Sequence, residues 1–356
     1  MVRTSRPGHK RAPPGATAQK GAAGRQGTRG RRQAPGHVVA LTGPTACGKS
    51  ARALALAEAF GGVVINADSM QVYRGLRRLS DRPGPEALAR APHRLYGVLW
   101  PGDTCSAARW RDLAEDAIDA ALAAGKLPIL VGGTGLYLRA LLRGLVQVPE
   151  IPETVRAEVR QRQTALPPPD LHAELARADP VMAARLDPND SQRVARALEV
   201  VRATGRSLAD YQAAPAVAPT AHTVLVVAAQ PPRAPLYRRI ETRLAAMLDT
   251  GALGEVAALR DLGLPRTAPA LRAVGVPELL AHLDGRLGRD DALAAAQAAT
   301  RRYAKRQLTW LRHQTPRDAD RLISVDAPFS DSAQFSKSEN PRIFNEIREF
   351  LLTAQP

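Results

Sequence analysis

The sequence is poor in cysteine and aromatic residues, and it has no long apolar run. Its two cysteines, Cys47 and Cys105, cannot build a disulfide framework or a cysteine-rich metal site. Aromatic residues make up only 4% of the chain. No window approaches the roughly 18 apolar residues of a membrane span. These absences exclude a disulfide scaffold and an integral membrane protein. They leave a globular chain of 356 residues, enough for one large domain with an insertion or for two domains.

Acidic residues are fewer than basic ones, 34 against 50, so the formal charge is +16 and the isoelectric point is near 10.8. Such a balance favours a polyanionic partner. Residues 1–36 carry nine Lys and Arg and no acid, and without them the remainder has a charge of +7. Their Gly, Pro and Ala content predicts a disordered basic arm, neither a secretory signal nor a transit peptide. We therefore expect a cytoplasmic protein with no membrane partner, and we expect a monomer.

A glycine loop, Gly43-Pro-Thr-Ala-Cys-Gly-Lys-Ser50, matches the pattern of a phosphate-binding loop. An apolar run from Val38 to Thr42 precedes it, and a helix is predicted from Ser50 to Phe60. In such a loop, backbone N–H groups face the phosphates, Lys49 neutralises charge and Ser50 offers a hydroxyl to Mg²⁺. The alternative is a glycine turn with a solvated lysine. The chain has only six lysines, which weighs against a lysine at this position by chance.

Strands and helices alternate before residue 144 and after residue 221. Strands are predicted at Val63–Asn66, Leu127–Val131 and Thr223–Ala228, and helices at Ser106–Ala124, Leu136–Leu142, Leu236–Leu248 and Asp291–His313. This alternation predicts an α/β fold with a parallel sheet, whose ligands lie at the carboxyl ends of the strands. Asp68 and a second glycine turn, Gly132–Tyr137, both follow such ends. At that turn we expect the backbone to approach a neighbouring group closely.

Prolines interrupt the middle of the chain, where short helices and no convincing strand are predicted before His222. We interpret residues 144–221 as a helical insertion between two parts of a P-loop catalytic core, residues 37–143 and 222–315. Residues 316–356 form a tail to which the sequence assigns no function.

Two of the predicted helices are rich in basic residues. In the first, Val194, Leu198 and Val201 form an apolar face, and another face gathers Gln192, Arg193 and Arg196. In the second, Ala304, Leu308 and Leu311 are predicted to pack inward and to leave a stripe of Arg301, Lys305, Thr309 and Arg312, with Arg302 and Arg306 beside it. The second helix favours nucleic acid, with Trp310 in the core, whereas the first is open between a phosphate clamp and a solvated face.

Four further motifs follow the glycine loop. They are Asp68-Ser-Met-Gln-Val-Tyr73, Val131-Gly-Gly-Thr-Gly-Leu-Tyr137, Asp187-Pro-Asn-Asp-Ser-Gln-Arg-Val-Ala-Arg-Ala-Leu-Glu199 and Tyr303-Ala-Lys-Arg-Gln-Leu-Thr-Trp-Leu-Arg312. Over roughly residues 37 to 315 the chain resembles the bacterial tRNA dimethylallyltransferases, or isopentenyltransferases. The resemblance implies Mg²⁺-dependent transfer of a dimethylallyl group from dimethylallyl diphosphate to the N6 amine of the tRNA adenine next to the anticodon on its 3′ side. It also implies a P-loop NTPase-like sheet with a helical insertion that grips the anticodon stem.

The resemblance implies roles for individual residues as well. The donor diphosphate would bind to Gly43, Pro44, Thr45, Ala46, Cys47, Gly48, Lys49 and Ser50, with Ser50 at the metal, so ATP hydrolysis is not implied. Asp68 matches the general base, and Thr134 matches a residue at the catalytic centre. The positions implied to contact tRNA are Asp68, Ser69, Met70, Gln71, Arg156, Gln192, Arg193, Val194, Ala195, Arg196, Arg272, Ala273, Val274, Gly275, Val276, Pro277, Lys305, Arg306, Gln307, Leu308, Thr309, Trp310, Leu311 and Arg312. Gln71 is placed in the sequence to read the adenine edge.

The chain departs from the common family pattern at three places. Ser80-Asp-Arg-Pro83 stands where Thr-Ala-Lys-Pro is common, Cys47 where Ser is usual, and Arg302 where Gln is usual. Cys47 is either a small residue tolerated at a variable position or a redox or nucleophilic group.

Two other functions stay open at this level. The first is a P-loop kinase or NTPase in which Asp68 holds Mg²⁺ and the basic helix is simply surface. The second is an RNA-binding module without catalysis. Phosphate release from ATP would identify the first, and tRNA binding without binding of a prenyl donor would identify the second.

Overall fold

A computed structural model describes residues 34–314, 322–325 and 341–353, without the side chains of residues 341 and 342. Nearly all of the predicted basic arm and most of the predicted tail lie outside the described residues. Within the described part, residues 34 onward form one compact unit.

A six-stranded sheet lies at the centre of this unit, and all its strands are parallel. The strands are β1 (His37–Thr42), β2 (Gly62–Asn66), β3 (His93–Arg94), β4 (Leu127–Gly132), β5 (Thr223–Ala229) and β6 (Leu322–Val325). Their order across the sheet is β3-β2-β4-β1-β5-β6. The predicted α/β fold is therefore confirmed.

Helices cover both faces of the sheet. They are α1 (Lys49–Phe60), α2 (Pro85–Arg90), α3 (Ala107–Ala123), α4 (Gly135–Arg143), α5 (Glu153–Ala165), α6 (Pro168–Ala178), α7 (Pro180–Ala183), α8 (Ser191–Thr204), α9 (Leu208–Ala213), α10 (Arg233–Asp249), α11 (Ala252–Asp261), α12 (Val276–Leu283), α13 (Arg289–Gln314) and α14 (Pro341–Leu352). A short 3₁₀ helix, Pro269–Arg272, precedes α12. In the described part of the chain, no helix is long and apolar enough to cross a membrane.

Strand β1 is buried on both faces, as expected for the middle of a parallel sheet. Val39 and Leu41 pack into the core on one side, while Val38 and Ala40 pack into the core on the other. The alternation follows from the two-residue repeat of a strand. Because β1 is held from both sides, the glycine loop that follows it starts from a fixed point.

Residues 144–221 contain helices α5 to α9 and no strand, and these helices share a small core of their own. Backbone hydrogen bonds from Val217 N to Leu145 O, 2.8 Å, and from Thr220 N to Leu141 O, 2.9 Å, bring the two ends of the segment together. Val194 and Leu198 are buried as predicted. The prediction for Val201 was wrong, since it is only half-buried while Val200 is fully buried, because the packed face of α8 is rotated slightly.

Helix α14 returns to the sheet beside β1. Its apolar side chains Ile343, Phe344, Ile347 and Phe350 are buried in the same core as Val39 and Leu41 of β1. The Phe350 ring lies 4.5 Å from the His37 ring at the start of β1. No role was predicted for this segment, because its apolar side chains pack only once the sheet presents a surface for them to cover.

We expect Phe350→Ala to lower the free energy of unfolding by about 3–5 kcal/mol, because it empties a fully buried aromatic site. Leu352→Ala in the same helix is the control, since that side chain is 61% exposed and its loss should change stability by less than about 0.5 kcal/mol. Urea unfolding followed by circular dichroism measures both. Equal effects of the two substitutions would contradict the packing of α14 on the sheet.

Candidate active site

The glycine loop turns directly from β1 into α1. Ala46 has a φ of 63° and Gly48 a φ of 84°, so two left-handed residues bend the chain before the helix begins. Gly48 is the N-cap of α1, and within this described stretch no side chain caps the helix. The first N–H groups of α1 are therefore available to an anion, and the helix dipole favours negative charge at this end.

Lys49 folds back over the loop. Its Nζ donates to the Pro44 carbonyl at 2.7 Å and lies 3.8 Å from the Cys47 sulfur. Cys47 itself is fully buried in the core. The burial favours the interpretation of Cys47 as a small packing residue, and it leaves Lys49 as the cation of the loop.

Asp68 follows β2 and is held by the buried side chain of Asn66. The Asn66 amide accepts from Asp68 N at 2.8 Å and donates to Asp68 O at 2.9 Å, and it also donates to the Leu95 carbonyl at 3.1 Å. One Asp68 carboxylate oxygen accepts from Met70 N at 2.8 Å. Both the backbone and the carboxylate of Asp68 are thus fixed before any ligand arrives.

Thr134 lies next to the Asp68 turn. Its hydroxyl accepts from Ser69 N at 2.9 Å and is 3.3 Å from the Ser69 hydroxyl. The Thr134 side chain also offsets part of the rise in the pKa of the Tyr303 phenol on α13. The strand ends of β2 and β4 and the middle of α13 therefore meet at this threonine.

Three tyrosines, Tyr96, Tyr137 and Tyr303, lie in the electrostatic field of Asp68. Burial is the main cause that raises the pKa of each phenol, and the negative charge of Asp68 raises it further. These phenols therefore stay protonated at neutral pH. They do not compete with Asp68 as bases.

A buried glutamine joins the two glycine turns. Gln307 of α13 accepts from Thr45 N at 2.8 Å and donates to Gly133 O at 2.9 Å. A Cβ at Gly133 would lie 2.1 Å from the Gln307 amide nitrogen, and one at Gly135 would lie 2.2 Å from the Trp310 ring. The close approach predicted at the second glycine turn is confirmed, and the partner is α13.

These elements surround a cleft of about 610 Å³. The described residues that line it include the loop and helix positions 45–51, together with Asp68, Gln71, Ser80, Asp81, Val131 and Gly132. The cleft opens at the carboxyl ends of β1, β2 and β4. The phosphate loop and the carboxylate that the sequence singled out therefore share one cavity.

Helix α10 supplies a wall of this cleft that the sequence analysis missed. Its contribution consists of Arg238, Arg239, Thr242, Arg243 and Ala246. The signal was present, because the positions lie on one side of a helix whose other side buries Leu236, Ile240, Leu244 and Met247. Sequence alone did not show that this helix faces the glycine loop.

Residues 71–314 match the sequence profile described as IPP transferase, and residues 36–98 match the profile described as isopentenyl transferase. The first match spans well over half of the chain. The chain belongs to the IPP transferase family.

Individual relatives of this IPP transferase agree with the profiles. It is 52% identical to a tRNA dimethylallyltransferase of Rhodospirillum rubrum over 317 residues, which cover 89% of this chain and 95% of the relative. It is 55% identical to that of Rhodospirillum centenum over 278 residues, which cover 78% and 88%.

Solved structures show the same fold. The tRNA isopentenylpyrophosphate transferase of Bacillus halodurans superimposes with a TM-score of 0.63 at 32% identity, covering 89% of this chain and 97% of that one. A eukaryotic dimethylallyltransferase acting on tRNA gives 0.72 at 25% identity, covering 90% and 80%.

The positions expected to contact tRNA in this IPP transferase divide by exposure. The exposed ones are Gln192, Arg193, Arg272, Pro277, Lys305, Arg306, Thr309 and Arg312. The half-buried ones are Asp68, Ser69, Met70, Gln71, Arg156, Arg196, Val274 and Trp310. Within the stripe on α13, Arg301 is half-buried and pairs with Glu241 at 2.7 Å.

The remaining positions in those segments are buried in the protein. They are Val194, Ala195, Ala273, Gly275, Val276, Gln307, Leu308 and Leu311. Their contact with tRNA stays a prediction, and the exposed positions form the surface that we use in the proposal below. Each predicted segment is contiguous in sequence, so it includes residues on both the buried and the exposed face of its helix. The sequence did not distinguish the two faces.

We expect Gln307→Leu to lower the free energy of unfolding by about 1–3 kcal/mol for each buried group that loses its partner, because the N–H of Thr45 and the carbonyl of Gly133 are both left unpaired. The exchange of the Thr45 amide with deuterium should also become faster. Gln297→Leu is the control. Gln297 lies on the same helix, and the bond seen for its side chain is one hydrogen bond to the Glu241 carbonyl. Unchanged exchange at Thr45 would contradict the bridging role of Gln307.

Proposed function

We propose that this protein transfers a dimethylallyl group from dimethylallyl diphosphate to the N6 amine of the tRNA adenine next to the anticodon on its 3′ side, releasing diphosphate. The observation that carries the proposal is the single cleft shared by the phosphate loop and Asp68. One end of that cleft suits an anionic leaving group, and the other holds a carboxylate suited to take a proton. Membership of the IPP transferase family supports the same reaction.

The diphosphate fits the loop end of the cleft. Backbone N–H groups at the start of α1, the Lys49 ammonium and the arginines of α10 all lie at its walls. The leaving diphosphate gains charge as the allylic C–O bond breaks, and donors already aimed at it stabilise that charge where it develops. Cations at fixed positions need no further reorganisation during the reaction.

Magnesium fits the same end. The Ser50 hydroxyl lies at the first turn of α1 and lines the cleft, and it is an oxygen ligand of the kind Mg²⁺ prefers. Among the described residues, no group of three or more His, Cys, Asp or Glu is arranged to hold a metal. That arrangement suits an ion that arrives with the diphosphate and keeps several waters. When bound, Mg²⁺ neutralises the diphosphate oxygens.

Asp68 acts on the acceptor. The exocyclic amine of adenine is a weak nucleophile, because its lone pair is delocalised into the ring. As the N6–C bond forms and the C–O bond to diphosphate breaks, one amine proton passes to the Asp68 carboxylate. Thr134 holds the turn that carries this carboxylate through Ser69, and the protonated Tyr303 phenol lies in the electrostatic field of Asp68.

The tRNA binds across the exposed basic positions of α8 and α13 and at Arg272. Phosphate contacts of Arg and Lys give affinity, and the modified adenine must leave its stack to enter the cleft, where Gln71 lies. The insertion at residues 144–221 grips the anticodon stem. We expect the protein to act as a monomer in the cytoplasm, where its tRNA substrate is found.

The direct test incubates the protein with Mg²⁺, unmodified tRNA and labelled dimethylallyl diphosphate, and measures label in the tRNA. A parallel tube with ATP measures phosphate release. Label in the tRNA without ATP turnover supports the proposal, whereas phosphate release without label would indicate a P-loop kinase or NTPase instead. Binding of tRNA with neither reaction would indicate an RNA-binding module.

We expect Asp68→Ala to lower turnover by about a hundredfold or more while tRNA affinity is retained, because general-base catalysis is lost. Asp68→Asn is the companion variant, since its amide oxygen can still accept from Met70 N and keep the turn in place. Asp112→Asn, an exposed position on α3, is the control for loss of a negative charge. Near-normal turnover in both Asp68 variants would refute the assignment.

We expect Lys305→Ala and Arg306→Ala each to weaken tRNA binding and to reduce the slope of log affinity against log salt by about one. A variant that makes one phosphate contact fewer releases fewer counterions when it binds. Arg289→Ala, at the other end of α13, is the control, since Arg289 pairs with Asp249 at 2.8 Å. Filter binding at several salt concentrations measures the slopes. A slope unchanged from that of the unsubstituted protein would make this face of α13 a solvated surface.

A further inference from the structure

A tight turn at residues 77–82 closes one side of the cleft. Asp81 N donates to Arg78 O at 2.9 Å, and Arg82 N donates to Arg77 O at 2.9 Å. The Arg82 guanidinium donates to the Tyr73 carbonyl at 2.9 Å. Asp81 has a φ of 58°, a left-handed conformation that Asp tolerates better than most residues. The turn therefore fixes the backbone from which the Asp81 side chain reaches the cleft.

The Asp81 carboxylate is bound to an arginine of the proposed diphosphate site. Arg243 Nη1 lies 2.8 Å from an Asp81 carboxylate oxygen, and Arg243 Nη2 donates to the Thr45 hydroxyl of the glycine loop at 2.6 Å. The Asp81 and Arg243 side chains are 51% and 28% exposed, and both residues line the cleft. One guanidinium is thus shared between the phosphate loop and an acidic side chain of the protein itself.

A phosphate group and the Asp81 carboxylate compete for the same donors. Guanidinium binds phosphate and carboxylate oxygens with the same paired N–H groups, so it cannot serve both fully at once. Two anions on one cation also repel each other. A diphosphate that binds Nη1 of Arg243 therefore competes with Asp81 for that nitrogen.

We propose that Asp81 is a residue that sets donor affinity in this protein, by occupying Arg243 until the diphosphate of the prenyl donor replaces it. The inference rests on the proposed function, since it takes the anion of the cleft to be that diphosphate. Because Asp81 pairs with Arg243, the donor site is weaker than its ring of cations alone would make it.

The backbone of the same turn accepts hydrogen bonds that do not involve the Asp81 carboxylate. The Gln71 amide donates to the carbonyls of Ser80, at 2.8 Å, and Asp81, at 3.1 Å. A change of the Asp81 side chain leaves both carbonyls in place. Removal of the carboxylate should therefore change the affinity for the donor and leave the affinity for tRNA as it was.

The test measures binding of inorganic diphosphate, in the presence of MgCl₂, by titration calorimetry. Asp81→Asn keeps the side-chain shape and the tolerance for a left-handed residue, and we expect it to bind diphosphate about two- to fivefold more tightly, the size of a partly exposed ion pair. In the transfer assay its KM for dimethylallyl diphosphate should fall by a similar factor, and its KM for tRNA should not change. Asp249→Asn is the matched control. Asp249 lies on the same helix as Arg243, and its carboxylate pairs with Arg289 at 2.8 Å.

A double-mutant cycle separates competition from general repulsion. In an Arg243→Gln background, Asp81→Asn should give no further gain in diphosphate affinity. A gain that persists in that background would overturn the proposal, as would unchanged or weaker binding by Asp81→Asn alone. Weaker binding would mean that Asp81 holds the metal or aims Arg243 at the diphosphate. If the unsubstituted protein bound no diphosphate at all, the proposed function would fall together with this inference.

Discussion

The bridge that Gln307 makes between Thr45 and Gly133 is the contact on which the site depends. It ties the loop after β1 to the turn after β4, and it does so from a helix that is distant in sequence. Without the glutamine, two half-buried backbone groups would each lose a hydrogen-bond partner, which is costly. The glycines at 133 and 135 leave room for α13 to come this close. The shape of the cleft therefore depends on one helix, α13, which packs against the ends of two strands.

The same helix presents its other side to solvent. Ala304, Leu308 and Leu311 pack inward, while Lys305, Arg306, Thr309 and Arg312 are exposed. Tyr303 of this helix lies in the electrostatic field of Asp68. A single rigid element thus carries both the support of the proposed donor site and the cations proposed to bind tRNA. Such a geometry fixes the distance between the two substrates without any flexible connection.

Electrostatics divide the cleft into two ends. Cations and helix N–H groups surround the glycine loop at the end of β1. Asp68 lies at the end of β2, two strands away in the sheet, among buried phenols that are protonated. A leaving anion and a departing proton therefore have separate places. Asp81 is an acid at the cationic end, and its pairing with Arg243 lowers the positive charge offered to a ligand there.

The sequence by itself determined the fold class, the phosphate loop, the position of Asp68 and the strands and helices with a strong repeat, because these depend on local pattern and on motifs of fixed spacing. Only the tertiary structure decided that α10 faces the loop, that Gln307 is buried between the two glycine turns, and that Asp81 pairs with Arg243. Those facts depend on how a helix is rotated about its axis and on contacts between segments separated by more than a hundred residues. Residues 341–353 show the same limit, since the apolar side of α14 has a purpose only once β1 and its neighbours form a surface for it to cover.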